Sequence, residues 1–398
     1  MIWGLCFLPE QGFALGPVGL CFWAMKCEEL KTPCALVDLD KLEANCSRMA
    51  ERIAGLGVRL RPHVKTHKTV EAARLQVRGH FGGITVSTLA EANFFFTAGF
   101  RDITYAVPIA VNRVEDTVEL SRAGVLNLLV DHEQTVIELE KCAQAQGVRF
   151  SAFLKVDCGY HRAGVDPSHE ESIELASKLA RSPHIHFRGI LTHAGHSYAC
   201  RTANEIRQVG IQEREVMVSF AQKLRVEGME VPEVSVGSTP TMSLAENLDG
   251  VTEARPGNYI FFDAFQAGIG SCELSDASFT VLVSVVGQYP KRNQLLIDAG
   301  ALSFSKDTGP TQVAPECGYG ALFSEDGSKY HADLRLFSLS QEVGKVAGTD
   351  AIDFDEFAVG SRLRVVPNHS CLSAALFPCY YVVRDGQVVD EWTPVRGW

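Results

Sequence analysis

From Leu36 onward, short apolar runs rich in β-branched residues alternate with longer amphipathic stretches. The amphipathic stretches at 41–53, 136–145 and 204–225 predict helices. Alternation at this spacing is typical of a parallel sheet with right-handed crossovers, and about eight such units follow the first strand. The chain is therefore predicted to begin with an α/β domain, a (β/α)8 TIM-type barrel. Its strands are predicted at 35–38, 58–61, 83–86, 103–107, 126–130, 150–156, 186–191, 233–236 and 259–262.

After Asp263 the helical periodicity fades and turn signals such as Glu325-Asp326-Gly327 and Asp385-Gly386 separate β-like runs. These runs lie at 281–288, 294–298, 332–339, 363–366 and 379–384. They predict a C-terminal all-β domain packed tightly on the barrel, since no low-complexity linker separates the two. The predicted division is a leader over 1–30, the barrel over 31–265 and the β domain over 266–398.

The leader is apolar and aromatic, but it lacks a basic segment, and Pro9, Gly12, Gly16 and Pro17 interrupt its apolar runs. This pattern argues against a secretion signal or a membrane span. We expect residues 1–30 to be disordered or outside the fold, and Met25 to be an alternative start. No membrane partner is predicted.

Charge and cysteine content exclude further classes of function. A net charge of -11 provides no basic face for nucleic acid. The 12 cysteines form no C-x-x-C pair and no regular spacing, so a disulfide framework is a poor interpretation. Scattered thiols indicate a reducing compartment, and the cytoplasm is the predicted location.

A dense group of cations, Arg61-Pro62-His63-Val64-Lys65-Thr66-His67-Lys68, follows the predicted strand at 58–61. Barrel strands point their carboxyl ends into the active site. Neighbouring cations disfavour a further ammonium, so a lysine here is expected to be neutral more often, as an aldehyde cofactor requires for a Schiff base. The alternative is a solvated basic loop.

Two later segments suit a phosphate group. Residues 235–241 (Ser-Val-Gly-Ser-Thr-Pro-Thr) place free N–H groups and hydroxyls at a strand-to-helix turn, and residues 255–259 (Arg-Pro-Gly-Asn-Tyr) add backbone N–H groups. Gly-Ser-Thr turns are common, so the first segment alone is a weak signal. Both lie in the last two βα loops, however, where barrel phosphate sites form.

His369 and Cys371 form the fourth chemical signal, within Pro367-Asn368-His369-Ser370-Cys371. On an extended segment, residues two apart project to the same side, so the two could share one metal ion. An imidazole with a thiolate suits zinc, and only two protein ligands would leave positions open, as in catalytic sites. A buried Cys beside a turn His is the alternative.

Two further strand-end loops, 157–164 and 192–198, carry Arg162 and the His193–Tyr198 segment. They would place a cation and aromatic faces near a flat cofactor ring. Ordinary loop chemistry stays an open alternative for both.

From Thr32 to the C-terminus, the chain resembles the alanine-racemase-like (fold type III) pyridoxal-phosphate enzymes. The closer resemblance is to the eukaryotic-type D-serine dehydratases of the D-threonine aldolase/D-serine dehydratase family. The segments at 32–38 and 61–68 resemble the family's opening strand and its cofactor-lysine segment. The resemblance implies pyridoxal phosphate carried by Lys65 and not Lys68, with Lys65 also removing the α-proton.

The resemblance also implies roles for the loop residues. Arg162 would face the ring's phenolate oxygen, His193 would stack on the ring with Tyr198 close by, and Arg255 would contact the pyridine nitrogen. An arginine there would keep that nitrogen unprotonated. The residues implied to bind phosphate are Gly237, Ser238, Thr239, Gly257 and Asn258.

The His369–Cys371 pair is the most discriminating feature, because it resembles the zinc pair of the D-serine dehydratases. Alanine racemases lack a metal there, and D-threonine aldolases carry a carboxylate as the second ligand. The implied activity is zinc-dependent elimination of water from D-serine, giving pyruvate and ammonia, by a homodimer. The alternatives are D-threonine or other D-β-hydroxy amino acids as substrates, a D-threonine aldolase, a D-threo-3-hydroxyaspartate dehydratase, or a carrier of the cofactor without turnover.

Overall fold

The structure, a computed structural model, describes residues 25–398. Most of the predicted leader lies outside these residues. Residues 25–30, however, belong to the fold: Cys27 and Leu30 are buried, and strand β1 (Met25–Lys26) pairs with a strand near the C-terminus. The prediction that the leader extends to residue 30 is therefore wrong for these six residues. Among the described residues, no helix is both long and apolar enough to cross a bilayer.

After β2 (Cys34–Asp38), eight parallel strands form one sheet. They are β3 (Arg59–Leu60), β4 (Ile84–Val86), β5 (Asp102–Pro108), β6 (Val125–Val130), β7 (Phe150–Lys155), β8 (Ile185–Leu191), β9 (Glu233–Val236) and β10 (Glu253–Ala254). The order is β3-β10-β9-β8-β7-β6-β5-β4, and the backbone bridge between His63 and Thr85 joins the two ends. The predicted barrel is thereby confirmed.

Helices alternate with the strands along this part of the chain. They are α1 (Leu39–Gly55), α2 (Val70–Gln76), α3 (Leu89–Thr97), α4 (Val118–Ala123), α5 (Glu133–Gln146), α6 (Glu170–Arg181), α7 (Ala203–Val226) and α8 (Thr239–Leu244). Side-chain caps fix where several begin. The Asp38 carboxylate accepts from the Lys41 N–H before α1, and the Thr202 hydroxyl accepts from the Glu205 N–H before α7.

The C-terminal part is mostly strand, as predicted. It contains β11 (Phe279–Tyr289), β12 (Gln294–Ile297), β13 (Gly320–Ser324), β14 (Leu334–Leu339), β15 (Gly344–Gly348), β16 (Arg362–Pro367), β17 (Tyr380–Arg384) and β18 (Gln387–Trp392), with short helices α9 (Ala264–Gly268), α10 (Ala301–Phe304) and α11 (Ser370–Ala374). Strand β2 lies in this sheet, antiparallel to β11 and parallel to β17. The first strand of the predicted 31–265 barrel domain thus pairs outside the barrel. The other predicted domain boundary, between residues 265 and 266, stays a prediction.

The segment predicted as a strand at 259–262 begins instead as a 3-10 turn, Asn258–Ile260. The last barrel strand is the shorter β10, just before it. The apolar run is buried for another reason: Tyr259 packs in the barrel core, whereas Ile260 and Phe261 pack in the core of the C-terminal sheet. The run therefore joins two cores, and hydrophobicity alone does not distinguish this from a strand.

A buried ion network lies inside the barrel. The Arg61 Nε donates to the Glu253 carboxylate at 2.8 Å, and Nη1 and Nη2 donate to Asp102 at 2.8 and 3.0 Å. The side chains of Arg61 and Glu253 are both fully buried. Burial by itself raises the pKa of Glu253, but the charge and hydrogen bonds of Arg61 lower it below its usual value.

Arg61→Met is expected to lower the free energy of unfolding by about 3–5 kcal/mol, because it leaves Glu253 buried without its cation. The measurement is denaturant-induced unfolding followed by circular dichroism. Arg48→Met is the control, since Arg48 pairs with Asp276 on the surface, where such pairs contribute at most about 1 kcal/mol. Equal losses in both variants would contradict the expectation.

Candidate active site

A cavity of about 590 Å³ opens at the carboxyl ends of the barrel strands, against the C-terminal domain. Eleven of the twelve residues singled out in the sequence line it: Lys65, Arg162, His193, Tyr198, Ser238, Thr239, Arg255, Gly257, Asn258, His369 and Cys371. The twelfth, Gly237, precedes the lining residue Ser238, and its carbonyl accepts a hydrogen bond from the lining residue His193. The fold thus brings together residues that are more than 300 positions apart in the chain.

Lys65 lies in a 3-10 turn, Val64–Thr66, directly after β3, and its exposed side chain lines the cavity. The cations next to Lys65 in the sequence do not crowd it in the structure. Arg61 forms an ion pair with Glu253 inside the barrel, and Lys68 forms one with Glu91 at 2.9 Å. His67 is buried and hydrogen bonds to Gln76. Alternate residues of the tight turn point in different directions, which separates charges that are adjacent in sequence.

His63 and His193 are half-buried imidazoles that line the cavity together with Lys65. Burial, together with the charge of Lys65, holds the pKa of both rings well below the usual range. The Nδ1–H of His193 donates to the Gly237 carbonyl at 3.2 Å, which fixes the ring orientation. A neutral ring held in this way presents a face to the cavity without adding positive charge.

The turn from β9 into α8 forms one end of the cavity. Ser238 caps α8, and the Thr239 hydroxyl accepts from the N–H groups of Gly257 and Tyr259 at 3.3 and 3.2 Å. A Cβ on Gly257 would lie 2.8 Å from the Cβ and the carbonyl oxygen of His63, so only glycine fits there. The N–H at the first position of a helix has no intrahelical acceptor, so Thr239 offers a donor to an anion.

The side chain of Asn258 turns towards the C-terminal domain, so the role at the phosphate implied for this residue stays a prediction for its backbone N–H. Its Nδ2 donates to Asp263 at 2.7 Å and to Ser370 at 2.9 Å, and lies 3.5 Å from the Cys371 sulfur. The Asn258 side chain therefore supports the His369–Cys371 segment. Only its backbone remains available on the phosphate side.

Arg255 lies fully inside the site. Its Nε donates to the Ser235 hydroxyl at 2.7 Å and its Nη2 donates to the Thr192 carbonyl. Burial lowers the pKa of Arg255 to about 10, and the carboxylates of Glu253 and Glu213 oppose that effect. The guanidinium is therefore a fixed cation at the wall of the cavity.

Arg162 extends from a loop that Asp157 organises. The Asp157 carboxylate accepts from the N–H groups of Gly159, Tyr160 and His161 at 2.9, 3.0 and 3.0 Å. The Arg162 guanidinium lies 5.0 Å from the centre of the Tyr160 ring. Tyr198, on the next loop, lies with its ring centre 6.5 Å from that of His193. Aromatic faces and a cation thus meet on one side of the cavity.

His369 and Cys371 lie side by side, although not for the reason proposed from the sequence. His369 is extended, but Cys371 already belongs to the first turn of α11, so the two are not on a common strand. Each side chain shifts the pKa of the other, and His369 Nδ1 lies 3.0 Å from the Asp307 carboxylate. The Thr66 hydroxyl, next to Lys65, lies 3.3 Å from the Cys371 sulfur.

The charges around this pair favour a thiolate. Burial alone raises the pKa of Cys371, but the hydrogen bond and charge of His369 and the charge of Lys65 bring it down to about 7. Burial lowers the pKa of His369, yet its bonds to Asp307 and Cys371 raise it to about 11. Within residues 25–398, no group of three or more His, Cys, Asp or Glu side chains is arranged around one point.

Sequence reasoning missed several residues of the site. Lys155 lines the cavity at the end of β7, and burial lowers its pKa to about 7, aided by the charges of Arg255 and Arg162. A lysine ending an otherwise apolar strand is a signal that could have revealed it. Asp307 lies in an irregular loop, where no pattern points to it.

Comparison with known proteins gives a consistent result. Residues 37–264 match the family described as alanine racemase, N-terminal domain, and residues 278–383 match a serine dehydratase domain. The chain is 40% identical over 390 residues to a D-serine dehydratase of Dictyostelium discoideum, covering 93% of this chain and 98% of that one.

Two further similarities involve another dehydratase. The chain is 38% identical over 374 residues to a D-threo-3-hydroxyaspartate dehydratase of Delftia sp. (strain HT23), covering 93% of this chain and 98% of that one. A solved structure of a D-threo-3-hydroxyaspartate dehydratase with a cysteine-to-alanine mutation, in the metal-free form, has a TM-score of 0.89 and 37% identity. It covers 94% of this chain and 100% of that chain.

Proposed function

The chain belongs to the alanine racemase N-terminal domain family, and we propose that within this family it is a lyase that converts D-serine into pyruvate and ammonia. One observation carries the proposal. The Lys65 amine and the His369–Cys371 pair line the same cavity, so a base and a cation-binding pair can act on neighbouring carbons of one small substrate. Similarity to a D-serine dehydratase over nearly the whole chain supports it.

The donors of the cavity fit pyridoxal phosphate. The turn around Ser238 and Thr239, with Gly257 leaving room beside it, would take the phosphate, and the neutral His193 ring would face the flat heterocycle. Arg255 would meet the pyridine nitrogen and Arg162 the phenolate oxygen. When bound, the cofactor supplies an electron sink for the charge that develops at Cα.

Lys65 has two roles in this proposal. It would hold the cofactor aldehyde through its amine, and once the substrate amine has displaced it, the freed amine would remove the proton from Cα of the substrate. Among the described residues, no carboxylate forms an ion pair with Lys65, so its amine is free for both. His63 and His193, both neutral, lie beside it without competing for the proton.

The His369–Cys371 pair fits zinc as an open, two-ligand site. A thiolate and an imidazole are ligands that zinc prefers, and the Asp307 carboxylate on the other ring nitrogen of His369 is the usual partner of a metal-binding histidine. When bound, the ion supplies stabilisation for the negative charge on the departing β-oxygen. The metal-free form described for the related cysteine-to-alanine variant supports a cysteine ligand.

D-threo-3-hydroxyaspartate is the second candidate substrate. Lys155 lies in the cavity without a carboxylate hydrogen bonded to it among the described residues, and could pair with an additional carboxylate. The related Delftia enzyme supports this alternative by its name. An aldolase would instead cleave the Cα–Cβ bond and release glycine.

The deciding experiment measures pyruvate released from D-serine by the purified protein, with and without a chelator. L-serine, D-threonine and D-threo-3-hydroxyaspartate serve as comparison substrates. We expect pyruvate from D-serine but not from L-serine, its loss on chelation and its return with zinc. Glycine and acetaldehyde from D-threonine, without pyruvate from D-serine, would instead support the aldolase alternative.

We also propose a cytoplasmic homodimer. The ten cysteines of the described residues are all free, which supports a reducing compartment. The dimer rests on the family resemblance, and light scattering coupled to gel filtration tests it by giving the mass in solution.

Asp307→Ala is expected to weaken zinc binding about 10- to 100-fold, because His369 loses the partner that orients its ring. Competition with a chromophoric chelator measures the affinity directly. Asp298→Ala is the control: its carboxylate bonds to Thr32 and the Ser284 N–H, not to His369. Unchanged zinc affinity in Asp307→Ala would contradict the assignment.

A further inference from the structure

Helix α7 carries a carboxylate where its pattern calls for an apolar side chain. Ile206, Glu213 and Phe220 follow each other at seven-residue spacing, and all three are buried. Glu213 is fully buried and belongs to no ion pair among the described residues. Burial raises its pKa, because removing a charged carboxylate from water costs free energy. A residue with such a cost requires a specific explanation.

The contacts of Glu213 join two loops of the cavity wall. Its Oε1 accepts from the Ala194 N–H at 3.1 Å and from the Gly237 N–H at 2.9 Å, and its Oε2 accepts from the Thr241 hydroxyl at 3.2 Å. Ala194 follows His193 on the loop after β8. Gly237 precedes Ser238 on the loop after β9.

The same two loops are joined by two further bonds. His193 Nδ1 donates to the Gly237 carbonyl at 3.2 Å, and the hydroxyls of Ser197 and Ser238 lie 3.0 Å apart. Gly237 has a φ of +119° and so accommodates a backbone conformation that other residues rarely adopt. The carboxylate therefore fixes the distance between the ring-facing His193 and the phosphate-facing turn.

We propose that Glu213 is a positioning residue for the cofactor, acting through the backbones of Ala194 and Gly237. The inference rests on the proposed function, since it assigns His193 to the ring and Ser238–Thr239 to the phosphate. The role requires the reach of the side chain and its acceptor oxygens. It does not require the negative charge as such.

Two variants distinguish the effect of the length of the Glu213 side chain from the effect of its charge. Glu213→Gln keeps an oxygen at the same reach for both N–H groups, and its amide can donate to the Thr241 hydroxyl, which can in turn donate to the Ser238 carbonyl. Glu213→Asp keeps the charge but is one methylene shorter, so it cannot hold both loops. Glu215→Gln, an exposed change on the same helix, is the control.

The readouts are the dissociation constant of pyridoxal phosphate and the visible circular dichroism of the bound cofactor, which reports how the ring is held. We expect Glu213→Gln to bind within about threefold of wild type. We expect Glu213→Asp to bind about 10- to 100-fold more weakly with a reduced dichroic band, the size typical of lost supporting contacts at a cofactor site. D-Serine turnover by wild type is measured in parallel.

Several results would overturn the inference. Weak binding by Glu213→Gln with normal binding by Glu213→Asp would assign the role to charge, and unchanged affinity and dichroism in both variants would remove the role. If Glu213→Asp does not fold, hydrogen exchange in the wild-type holoenzyme replaces it. Slow exchange of the Ala194 and Gly237 amides supports the contact, and exchange at the rate of an open loop refutes it. Failure of wild type to bind the cofactor would refute the proposed function itself.

Discussion

Replacing Lys65 by alanine is expected to abolish pyruvate release from D-serine, by a factor on the order of 10⁴ or more. The variant loses both the amine that carries the cofactor and the base that removes the α-proton. The absorbance band of the covalently held cofactor should disappear as well. Coupled assay of pyruvate and the visible spectrum of the purified variant measure the two effects.

The structure provides two matched controls for this experiment. Lys68→Ala removes a lysine from the same segment, but one that pairs with Glu91. Lys155→Ala removes the other lysine of the cavity. Borohydride reduction followed by peptide mapping should label Lys65 in wild type and in Lys68→Ala. Label on Lys68 or Lys155 in wild type would refute the assignment of Lys65.

Replacing Cys371 by alanine is expected to abolish elimination and leave cofactor binding intact. The change removes the thiolate and leaves His369 as the single proposed ligand. The affinity for zinc should therefore become too low for the protein to retain the ion. Turnover should drop on the order of 10³-fold or more, because hydroxide is a poor leaving group without a cation. Metal content, measured by elemental analysis, should fall in parallel.

Cys142→Ala is the control for this second experiment, because Cys142 is a free cysteine on α5 and is not among the residues that line the cavity. It should retain zinc, the cofactor spectrum and turnover. Wild-type turnover by Cys371→Ala, or undiminished turnover by wild type after complete removal of zinc, would refute the role of the pair. Loss of the cofactor spectrum in Cys371→Ala would show instead that Cys371 supports the Lys65 turn through Thr66.

The sequence predicted the barrel strands well because their signal is local. The run at 233–236 coincides with β9, and seven more runs overlap β2 to β8. The strands β13, β15 and β18 were missed because glycine or polar residues interrupt their apolar pattern, and pairing with neighbours stabilises them instead. The run at 259–262 was assigned wrongly because burial between two cores has the same signature as a strand.

The site was less predictable, and the reason is geometric. Residues such as Ser238 or Gly257 stand out because strand-end loops of a barrel converge, so a motif in one loop can be related to a motif in another. Asp307 and Glu213 act through contacts that depend on tertiary packing. His369 and Cys371 line the same cavity, but the extended conformation expected for both is wrong, since Cys371 lies in a helical turn; their shared metal stays a prediction.

The position of β2 has a consequence for synthesis of the protein. It lies between β11 and β17, so a segment synthesised before the barrel occupies the middle of a sheet whose other strands, apart from β1, are synthesised after the barrel. The barrel can form while β2 waits unpaired, and closing so long a loop slows the final pairing. His369 and Cys371 lie just before β17. We therefore expect the barrel to form before the sheet that encloses β2, and the proposed metal pair to reach the cavity only after β17 is synthesised.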